Sequence, residues 1–292
     1  MTPQEYCQNK AAQSGSSFYY SFLILPQDKR DAITALYAFC REVDDIVDSR
    51  SEDHIKHVKL AWWRDEIGRL FNGTPQHPIS RAIAQHLEHF NLAEEYFLEI
   101  LDGMAMDMDV ARYASFRELS LYCYRVASVV GILSAEIFGY QDRQTLKYAH
   151  DLGMAFQLTN IIRDVYEDIQ RDRLYLPQDE LQQFGVTVEE IRQQRHTPAF
   201  AQLMQHQIDR ANSYYERAMH ELPEIDRYAQ RAGLIMAEIY RALLREIVSA
   251  DKQVLTHRIA LSPLQKLWIA WKTRRLETKR FRCWTRQQAN GG

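Results

Sequence analysis

The stretch QLTNIIRDVYEDIQRDRLYLP, residues 157–177, decides the fold prediction because it combines an apolar side with a row of oxygen-bearing side chains. Asn160, Asp164 and Asp168 follow one another at steps of four residues, so on a helix their side chains share one stripe. The opposite side is apolar and carries Leu158, Ile161, Ile162 and Val165. A helix of this kind is expected to be buried, so the polar stripe predicts a cavity within a helical protein.

Helical periodicity extends along almost the whole chain, and strand signals are nearly absent. In RDAITALYAFCREVDDIVDS, residues 30–49, apolar residues recur at steps of three and four, as in an amphipathic helix. The segments around Cys123 and Gly153 are apolar over most of their circumference, which is typical of helices in the middle of a bundle. With 292 residues, 46% of them hydrophobic, the sequence predicts one large all-α domain over residues 1–292.

Composition argues against several classes of protein. The formal net charge of −3 and the pI near 6.4 give no basic field of the kind that binds nucleic acid. The four cysteines form no C-x-x-C pair, so neither a zinc site nor a disulfide framework is indicated. The N-terminus lacks the apolar core of an export signal, and no stretch approaches about 18 unbroken apolar residues. We therefore expect a cytoplasmic protein that does not cross a bilayer.

A second acidic cluster lies in REVDDIVDSR, residues 41–50. Asp44 and Asp48 are one helical turn apart on the same face, with Asp45 at its edge. Like charges at this spacing repel, so the cluster alone would be interpreted as an ordinary solvated face. Opposite the stripe of residues 160–168, it can instead form the second wall of an all-oxygen cavity. Oxygen ligands without His or Cys favour Mg²⁺, which keeps open positions for phosphate oxygens.

Arginines lie near both clusters. They are Arg41 in the first and Arg163, Arg171 and Arg173 around the second. Their guanidinium groups can bind the same phosphate, or they can pair locally with the aspartates, and both readings can hold at once. Two acidic walls, Mg²⁺-bound phosphate and apolar surroundings together suggest ionisation of an allylic diphosphate in a site that shelters a carbocation from water.

Four stretches, taken in order, resemble the squalene/phytoene synthase family of head-to-head prenyl transferases. They are SGSSFYYSFLILP, ALYAFCREVDDIVD, YCYRVASVVG and AFQLTNIIRDVYEDIQRDRLYLP, and the resemblance extends over about residues 5–255. The stretches KLAWWRDEI, GMAMDMD and GILSAEIFG are most similar to bacterial presqualene diphosphate synthases of the hopanoid pathway. The resemblance implies a single large helical bundle of the isoprenoid synthase type with a central cavity.

The resemblance also implies roles for particular residues. The expected ligands of two or three Mg²⁺ ions are Asp44, Asp48, Asn160, Asp164 and Asp168, and the four aspartates are also expected to be catalytic. Tyr122 is expected to be catalytic near a cyclopropylcarbinyl intermediate. The residues expected to bind substrate are Arg41, Asp45, Arg173, Ser17, Phe18 and Tyr240. For Phe18 and Tyr240, simple core packing is the alternative.

One departure from the family pattern concerns Ser16, where many relatives have Lys or Arg two residues before the Phe. A diphosphate contact is then lost or taken over by another residue, for which Arg125 is a candidate. Three further acids, Asp102, Asp107 and Asp109, are interpreted as capping or surface charges rather than as a third metal site.

The C-terminal segment, residues 258–286, differs in composition from the rest of the chain. A single acid, Glu277, accompanies nine basic residues, which are Arg258, Lys266, Lys272, Arg274, Arg275, Lys279, Arg280, Arg282 and Arg286. Leu264, Leu267, Trp268, Ile269, Trp271 and Trp284 are interleaved with these charges. One interpretation is a solvated helix that packs its tryptophan side on the domain. The other is an amphipathic segment in peripheral contact with the inner face of an anionic membrane.

The resemblance implies Mg²⁺-dependent condensation of two farnesyl diphosphates to presqualene diphosphate with release of diphosphate, a step in squalene and hopanoid biosynthesis that feeds downstream squalene-forming enzymes. NADPH is not expected as a cofactor. Two alternatives lie within the family: a phytoene synthase that acts on two geranylgeranyl diphosphates, and a full NADPH-dependent squalene synthase. Outside it, a non-catalytic helical partner protein at a membrane surface is the alternative, although the intact acidic clusters argue against it.

Overall fold

The computed structural model describes residues 1–13 and 21–291, and helices dominate these ranges. In chain order they are α1 (Pro3–Gln13), α2 (Gln27–Asp48), α3 (Asp53–Phe71), α4 (Pro78–Ala84), α5 (Leu87–Phe90), α6 (Glu94–Asp109), α7 (Phe116–Cys123), α8 (Val129–Phe138), α9 (Gln144–Arg163), α10 (Val165–Gln170), α11 (Gln178–Phe184), α12 (Val188–Arg192), α13 (Pro198–Glu221), α14 (Glu224–Arg227), α15 (Arg231–Ser249) and α16 (Pro263–Gly291). The described residues hold no strand beyond an isolated bridge between Arg112 and Leu174. The all-α prediction is confirmed.

Buried apolar side chains form two clusters on either side of a central cavity. One cluster is built largely by α2, α3, α4 and α6, and the other by α9, α13 and α15. The cavity between them is lined by Leu36 from the first cluster and by Leu152 from the second. The fold therefore contains the predicted central cavity. That residues 1–292 form one domain stays a prediction.

The helices α8 and α9 cross closely because glycine removes a side chain at each side of the crossing. A Cβ added at Gly131 would lie 2.5 Å from the carbonyl oxygen of Ala149, and one added at Gly153 would lie 2.6 Å from that of Ala127. Neither backbone can retreat without opening the bundle, so a larger residue is disfavoured at both positions. The close crossing holds α9 in the middle of the protein, as the apolar sequence around Gly153 predicts.

The helical stretch that carries the polar stripe is interrupted at Asp164, the residue between α9 and α10. The amide of Asp164 still donates to the carbonyl of Asn160 at 2.8 Å, and the amide of Asp168 donates to the carbonyl of Asp164 at 2.9 Å. The stripe therefore keeps its helical spacing. A π-helical turn, Tyr124–Ser128, joins α7 to α8 just after Tyr122. Such turns within helices are frequent at functional sites.

Two findings concern the chain's relation to membranes. The helical run Phe116–Phe138 is long and apolar enough to cross a bilayer by length and composition, but 50% of its apolar window is buried inside the protein and it supplies part of the cavity wall. Within the basic segment, α16 begins only at Pro263, so Arg258 lies in the loop before the helix. This position brings Arg258 to Asp164.

Candidate active site

A polar cavity of about 420 Å³ lies between α2, α6 and the α9–α10 pair. Its acidic lining residues are Asp44, Asp48, Asp107, Asp164, Glu167 and Asp168. Its basic lining residues are Arg41, Arg163, Arg171, Arg173 and Arg258, and Asn160 and Tyr122 also face it. The structure thus brings the two acidic clusters to opposite walls of one space.

On the α2 wall, Arg41 holds two of the three aspartates. Its guanidinium donates to Asp44 at 2.7 Å and to Asp45 at 2.6 Å. Asp44 and Asp48 line the cavity, whereas the Asp45 side chain is 46% exposed and also pairs with Lys10 at 3.0 Å. Asp45 therefore lies at the outer edge of the cluster, away from the cavity lining.

On the opposite wall, Asn160 presents a buried oxygen atom without a partner. Its Oδ1 has no hydrogen bond within the described ranges, while its Nδ2 donates to Gln157 at 3.3 Å. Asp164, one turn further, accepts hydrogen bonds from Arg163 at 2.6 Å and forms an ion pair with Arg258 at 2.9 Å. A buried acceptor is costly unless a donor or a cation satisfies it, so the Asn160 oxygen points to a ligand at this wall.

Arginines from the second cluster join the two walls. Arg171 lies 3.0 Å from one carboxylate oxygen of Asp48, and Arg173 lies 3.3 Å from the other. Local pairing, one of the two interpretations drawn from the sequence, thus describes Arg41 and Arg163. Arg171 and Arg173 instead pair across the cavity, where a bound anion can compete with Asp48 for their guanidinium groups.

The carboxylates in the cavity repel one another. Burial raises the pKa of Asp168 to about 8, and the charges of Asp164 and Asp107 add to the rise. Burial also raises the pKa of Asp44 to about 6, although Arg41 opposes the rise. Six acids line the cavity against five arginines. A bound cation would relieve this repulsion and lower the pKa of both groups.

The donor set fits Mg²⁺. The carboxylates of the two acidic clusters supply oxygen donors from both walls, and the unpartnered Asn160 oxygen is of the same type. Across the part of the chain that the structure describes, no three His, Cys, Asp or Glu side chains stand close enough to hold a metal ion by themselves. Water and phosphate oxygens would complete the coordination, as Mg²⁺ commonly requires. The ligand set Asp44, Asp48, Asn160, Asp164 and Asp168 stays a prediction.

The interpretation of Asp107 as a capping or surface charge is wrong, because its carboxylate is buried at the cavity wall. The hydroxyl of Tyr122 donates to it at 3.0 Å, and that of Tyr175 donates at 2.7 Å. The two tyrosine rings stack with their centroids 5.2 Å apart. Burial, followed by the charge of Asp107, raises the pKa of Tyr122 well above its ordinary value. Tyr122 is therefore a neutral phenol oriented by a buried carboxylate.

Helical spacing contained a signal for Asp107. Ile100, Met104 and Asp107 lie at steps of four and three residues and line the same cavity. An acid in line with the apolar face of α6 is therefore expected to point inward. No such signal exists for Arg258, because its contact with Asp164 joins a loop to a helix far away in sequence.

The remaining predicted site residues are placed as follows. Tyr240 is buried beside Arg163, with its ring 4.8 Å from that of Phe156. Arg125 pairs with Glu99 at 2.9 Å and does not line the polar cavity, whereas Arg258 does line it. Ser16, Ser17 and Phe18 lie outside the described residues.

An apolar cavity of about 200 Å³ adjoins the polar one. Both are lined by Cys40, Val126, Gln157 and Asn160, so these residues mark the junction. Beyond the junction the walls include Ile33, Leu36, Val130, Leu152, Phe156 and Met236. The joined cavities suit a molecule with an anionic head and a hydrocarbon chain, with the head among the arginines and carboxylates.

Comparison with known proteins gives concordant results. The profile of the squalene/phytoene synthase family matches residues 11–265. A phytoene synthase 2 of Solanum lycopersicum is 35% identical over 267 residues, which cover 89% of this chain and 86% of the relative. The phytoene synthase of Narcissus pseudonarcissus is 34% identical over 89% of this chain, which spans 63% of that relative's length.

Solved structures of similar proteins share the fold. A dehydrosqualene synthase in complex with a ligand superposes with a TM-score of 0.86 at 27% identity, over 95% of this chain and 97% of the other. The squalene synthase HpnC from Alicyclobacillus acidocaldarius gives a TM-score of 0.78 at 27% identity, over 85% of this chain and 94% of the other.

Proposed function

This chain belongs to the squalene/phytoene synthase family, and from that premise we propose that it condenses two prenyl diphosphates head to head with release of one diphosphate. The observation that carries the proposal is the junction of the polar and apolar cavities at Asn160 and Gln157. It joins anion-binding groups to a space for a prenyl chain, so the bond that must break lies between the two environments.

The proposed substrate is farnesyl diphosphate, and the proposed product is presqualene diphosphate. In this reaction the donor loses its diphosphate, its C1 is attacked by the 2,3-double bond of the acceptor, and loss of a proton closes a cyclopropane ring. The acceptor keeps its diphosphate, so formation of squalene still requires loss of this group and a two-electron reduction, neither of which this reaction supplies. The apolar cavity has a volume of about 200 Å³, and this small size supports the proposal of a substrate with a C15 chain.

The polar residues have distinct proposed roles. Arg41, Arg171 and Arg173 bind the diphosphate of the donor and release their aspartate partners as they do so. Mg²⁺ would be held by Asp44, Asp48, Asn160, Asp164 and Asp168. When bound there, the ion would stabilise the charge that develops on the leaving diphosphate. The apolar walls beyond Asn160 exclude water from the cationic carbon.

Proton removal is proposed to involve Tyr122 or the released diphosphate. The Tyr122 oxygen lies at the wall of the polar cavity, and its own proton is directed to Asp107 at 3.0 Å. A proton accepted by the phenol oxygen can therefore be matched by transfer of the phenol proton to Asp107. The high pKa of Tyr122, caused first by burial, means that the tyrosine does not act as a free phenolate.

Paired aspartate variants test the two-wall site. Asp44→Asn and Asp164→Asn should each abolish product formation from farnesyl diphosphate while leaving the helical circular dichroism signal unchanged. Asp45→Asn is the matched control, because this side chain lies in the same cluster but outside the cavity lining. Substantial activity in either cavity variant, or equal loss in the control, would refute the two-wall arrangement.

Phytoene synthase activity is the second candidate, favoured by the plant relatives that carry that name. It would use two geranylgeranyl diphosphates in the same cavities. A full squalene synthase would need NADPH in addition. Incubation with C15 or C20 diphosphate, with and without NADPH, followed by product identification, separates these activities. Loss of all activity together with loss of substrate binding would favour the non-catalytic partner protein instead.

The C-terminal helix supports a further proposal about location. Its inner face packs on the protein through Ala270, Thr273 and Glu277, and Glu277 pairs with Arg227 at 2.8 Å. Trp268 and Trp271 point outward instead, with 54% and 55% of their surface exposed. The packing of these two tryptophans on the domain, one of the sequence-based interpretations, is therefore wrong.

We propose that this outer face lies on an anionic membrane. Lys272 and Arg275 flank the exposed rings, 5.7 Å and 5.4 Å from the centroids of Trp268 and Trp271. Aromatic rings beside cations are suited to the boundary between lipid headgroups and acyl chains. Vesicles containing phosphatidylglycerol should bind the protein, and Trp268→Ala with Trp271→Ala should weaken binding. Asp44→Asn should bind as the wild type does. Placement in the cytoplasm stays a prediction.

A further inference from the structure

The apolar cavity runs beside α9 over the residues from Tyr148 to Asn160. Asn160 marks its junction with the polar cavity, and Tyr148 lines its far end. The two residues are twelve positions apart, which corresponds to about 18 Å along a helix. The wall that runs from Val126 to Phe138 indicates the same cavity length, since these two lining residues are also twelve positions apart.

Tyr148 is well placed to end this cavity. It is 1% exposed, and its hydroxyl is buried without a hydrogen-bond partner within the described ranges. The amide of Gln230, which also lines this cavity, is engaged elsewhere, because its Nε2 donates to the carbonyl of Gly139 at 3.0 Å. The ring therefore stands at the end of the cavity as a steric element, held by packing rather than by a polar contact.

Gly233 on α15 leaves room for the Tyr148 hydroxyl. A Cβ added at Gly233 would lie 2.8 Å from the Tyr148 oxygen and 3.6 Å from Leu152 Cδ2. The Tyr148 hydroxyl thus lies close against α15 at Gly233. A smaller residue at position 148 would extend the cavity toward these helices, and a larger residue at 233 would press the ring back into it.

The length of the cavity distinguishes prenyl chains. Each isoprene unit spans roughly 5 Å, because it contributes four carbon–carbon bonds of about 1.5 Å in a zigzag. By the same measure a C15 chain spans roughly 15 Å and a C20 chain roughly 20 Å. The distance of about 18 Å from the junction to the level of Tyr148 exceeds the extended length of the C15 chain and falls short of that of the C20 chain.

We propose that Tyr148 is the floor of the prenyl site and the residue that selects C15 over C20 substrates. This inference rests on the proposed function and deepens it, because it names the group that sets substrate length. Tyr148 acts by shape, so its hydroxyl contributes little to the selection.

Substitution at the floor tests the proposal. For each variant, kcat/KM is measured separately for C30 product from C15 diphosphate and for C40 product from C20 diphosphate. Tyr148→Ala should raise the C40:C30 ratio at least about tenfold, the scale on which apolar pockets discriminate small differences in length. Tyr148→Phe is the matched control: it keeps the ring and removes only the hydroxyl, so its ratio should stay within about threefold of the wild-type value.

Further variants keep the test decisive if Tyr148→Ala does not fold. Tyr148→Leu, a smaller change, should shift the ratio in the same direction. Gly233→Ala should shift preference the opposite way, raising turnover of C10 relative to C15 diphosphate. An unchanged ratio in the folded Tyr148 variants, an equal shift in Tyr148→Phe, or a wild-type protein that prefers C20 would overturn the proposal.

Binding of unreactive thio-analogues of farnesyl and geranylgeranyl diphosphate separates failure of the floor from failure of the proposed function. The wild type should bind the C15 analogue more tightly, and Tyr148→Ala should lose that preference even if neither protein turns over substrate. If this pattern of binding is observed without condensation, the proposed function is refuted, but the role of Tyr148 in selecting chain length is still supported. Equal preference in both proteins would refute the floor, whatever the activity.

Discussion

The hydrogen bond between Tyr122 and Asp107 allows a quantitative prediction about catalysis. The phenol donates to the buried carboxylate at 3.0 Å. A hydrogen bond to a charged group contributes about 1.5–3 kcal/mol, which corresponds to about a tenfold to hundredfold change in rate if it is needed in the transition state. If Asp107 acts through Tyr122, Asp107→Asn should lower kcat by this factor in the wild-type background and have little further effect in Tyr122→Phe.

A double-mutant cycle measures this coupling. It needs kcat for four proteins: the wild type, Tyr122→Phe, Asp107→Asn and the double variant, each with a melting temperature to show that it is folded. Tyr175→Phe, alone and combined with Asp107→Asn, is the control, because Tyr175 also lines the cavity and donates to the same carboxylate at 2.7 Å but has no proposed part in the proton transfer. Strictly additive losses for Tyr122 and Asp107, or equal coupling of Asp107 to Tyr175, would refute the reasoning.

Three other predictions concern the site and the fold. Arg258→Ala should lower kcat/KM by about tenfold or more. Arg258→Lys should restore kcat/KM only in part, because an ammonium group lacks the planar guanidinium that binds diphosphate through two hydrogen bonds. Equal kcat/KM for the wild type and both variants would exclude a role of Arg258 in substrate binding. Removal of divalent metal with a chelator should abolish product and leave the helical signal unchanged, and added Mg²⁺ should restore turnover; turnover that survives chelation would contradict the Mg²⁺ prediction. Burial raises the pKa of Glu66, but hydrogen bonds from Ser80, His77 and Arg69 outweigh burial, and the net result is a lowered pKa. The Glu66 carboxylate therefore stabilises the fold at a pH above its unfolded pKa, and this stabilisation is lost as the pH falls. Glu66→Gln should therefore reduce stability by about 2–3 kcal/mol near neutral pH and flatten the fall of melting temperature below about pH 5; parallel curves for the two proteins would contradict this.

The sequence was informative where helical spacing fixes neighbours. Asn160, Asp164 and Asp168 share one stripe because each step is one turn, and the interruption at Asp164 preserves that spacing. The facing position of Asp44 and Asp48 followed from chemistry, since two acidic stripes in an apolar bundle are unfavourable unless they share a cation. This part of the fold depends on local geometry and on charge balance.

The sequence was less informative where contacts depend on how helices and loops pack together. Arg258 was grouped with the basic residues of α16, but the loop before Pro263 folds back and places it against Asp164. The position of Tyr148 at the end of the apolar cavity depends on the crossing of α8, α9 and α15, which no local pattern specifies. Trp268 and Trp271 face outward because the inner side of α16 is occupied by the Glu277–Arg227 pair and small residues.

The central claim is most directly tested by the stoichiometry of the reaction with farnesyl diphosphate and Mg²⁺ in the absence of NADPH. Released inorganic diphosphate is quantified, and the prenyl product is identified by mass spectrometry and nuclear magnetic resonance. The proposed function predicts one diphosphate released for every two farnesyl diphosphates consumed, with a C30 cyclopropyl product that retains the other diphosphate. Hydrolysis to farnesol, or no consumption of either the C15 or the C20 diphosphate, would contradict it.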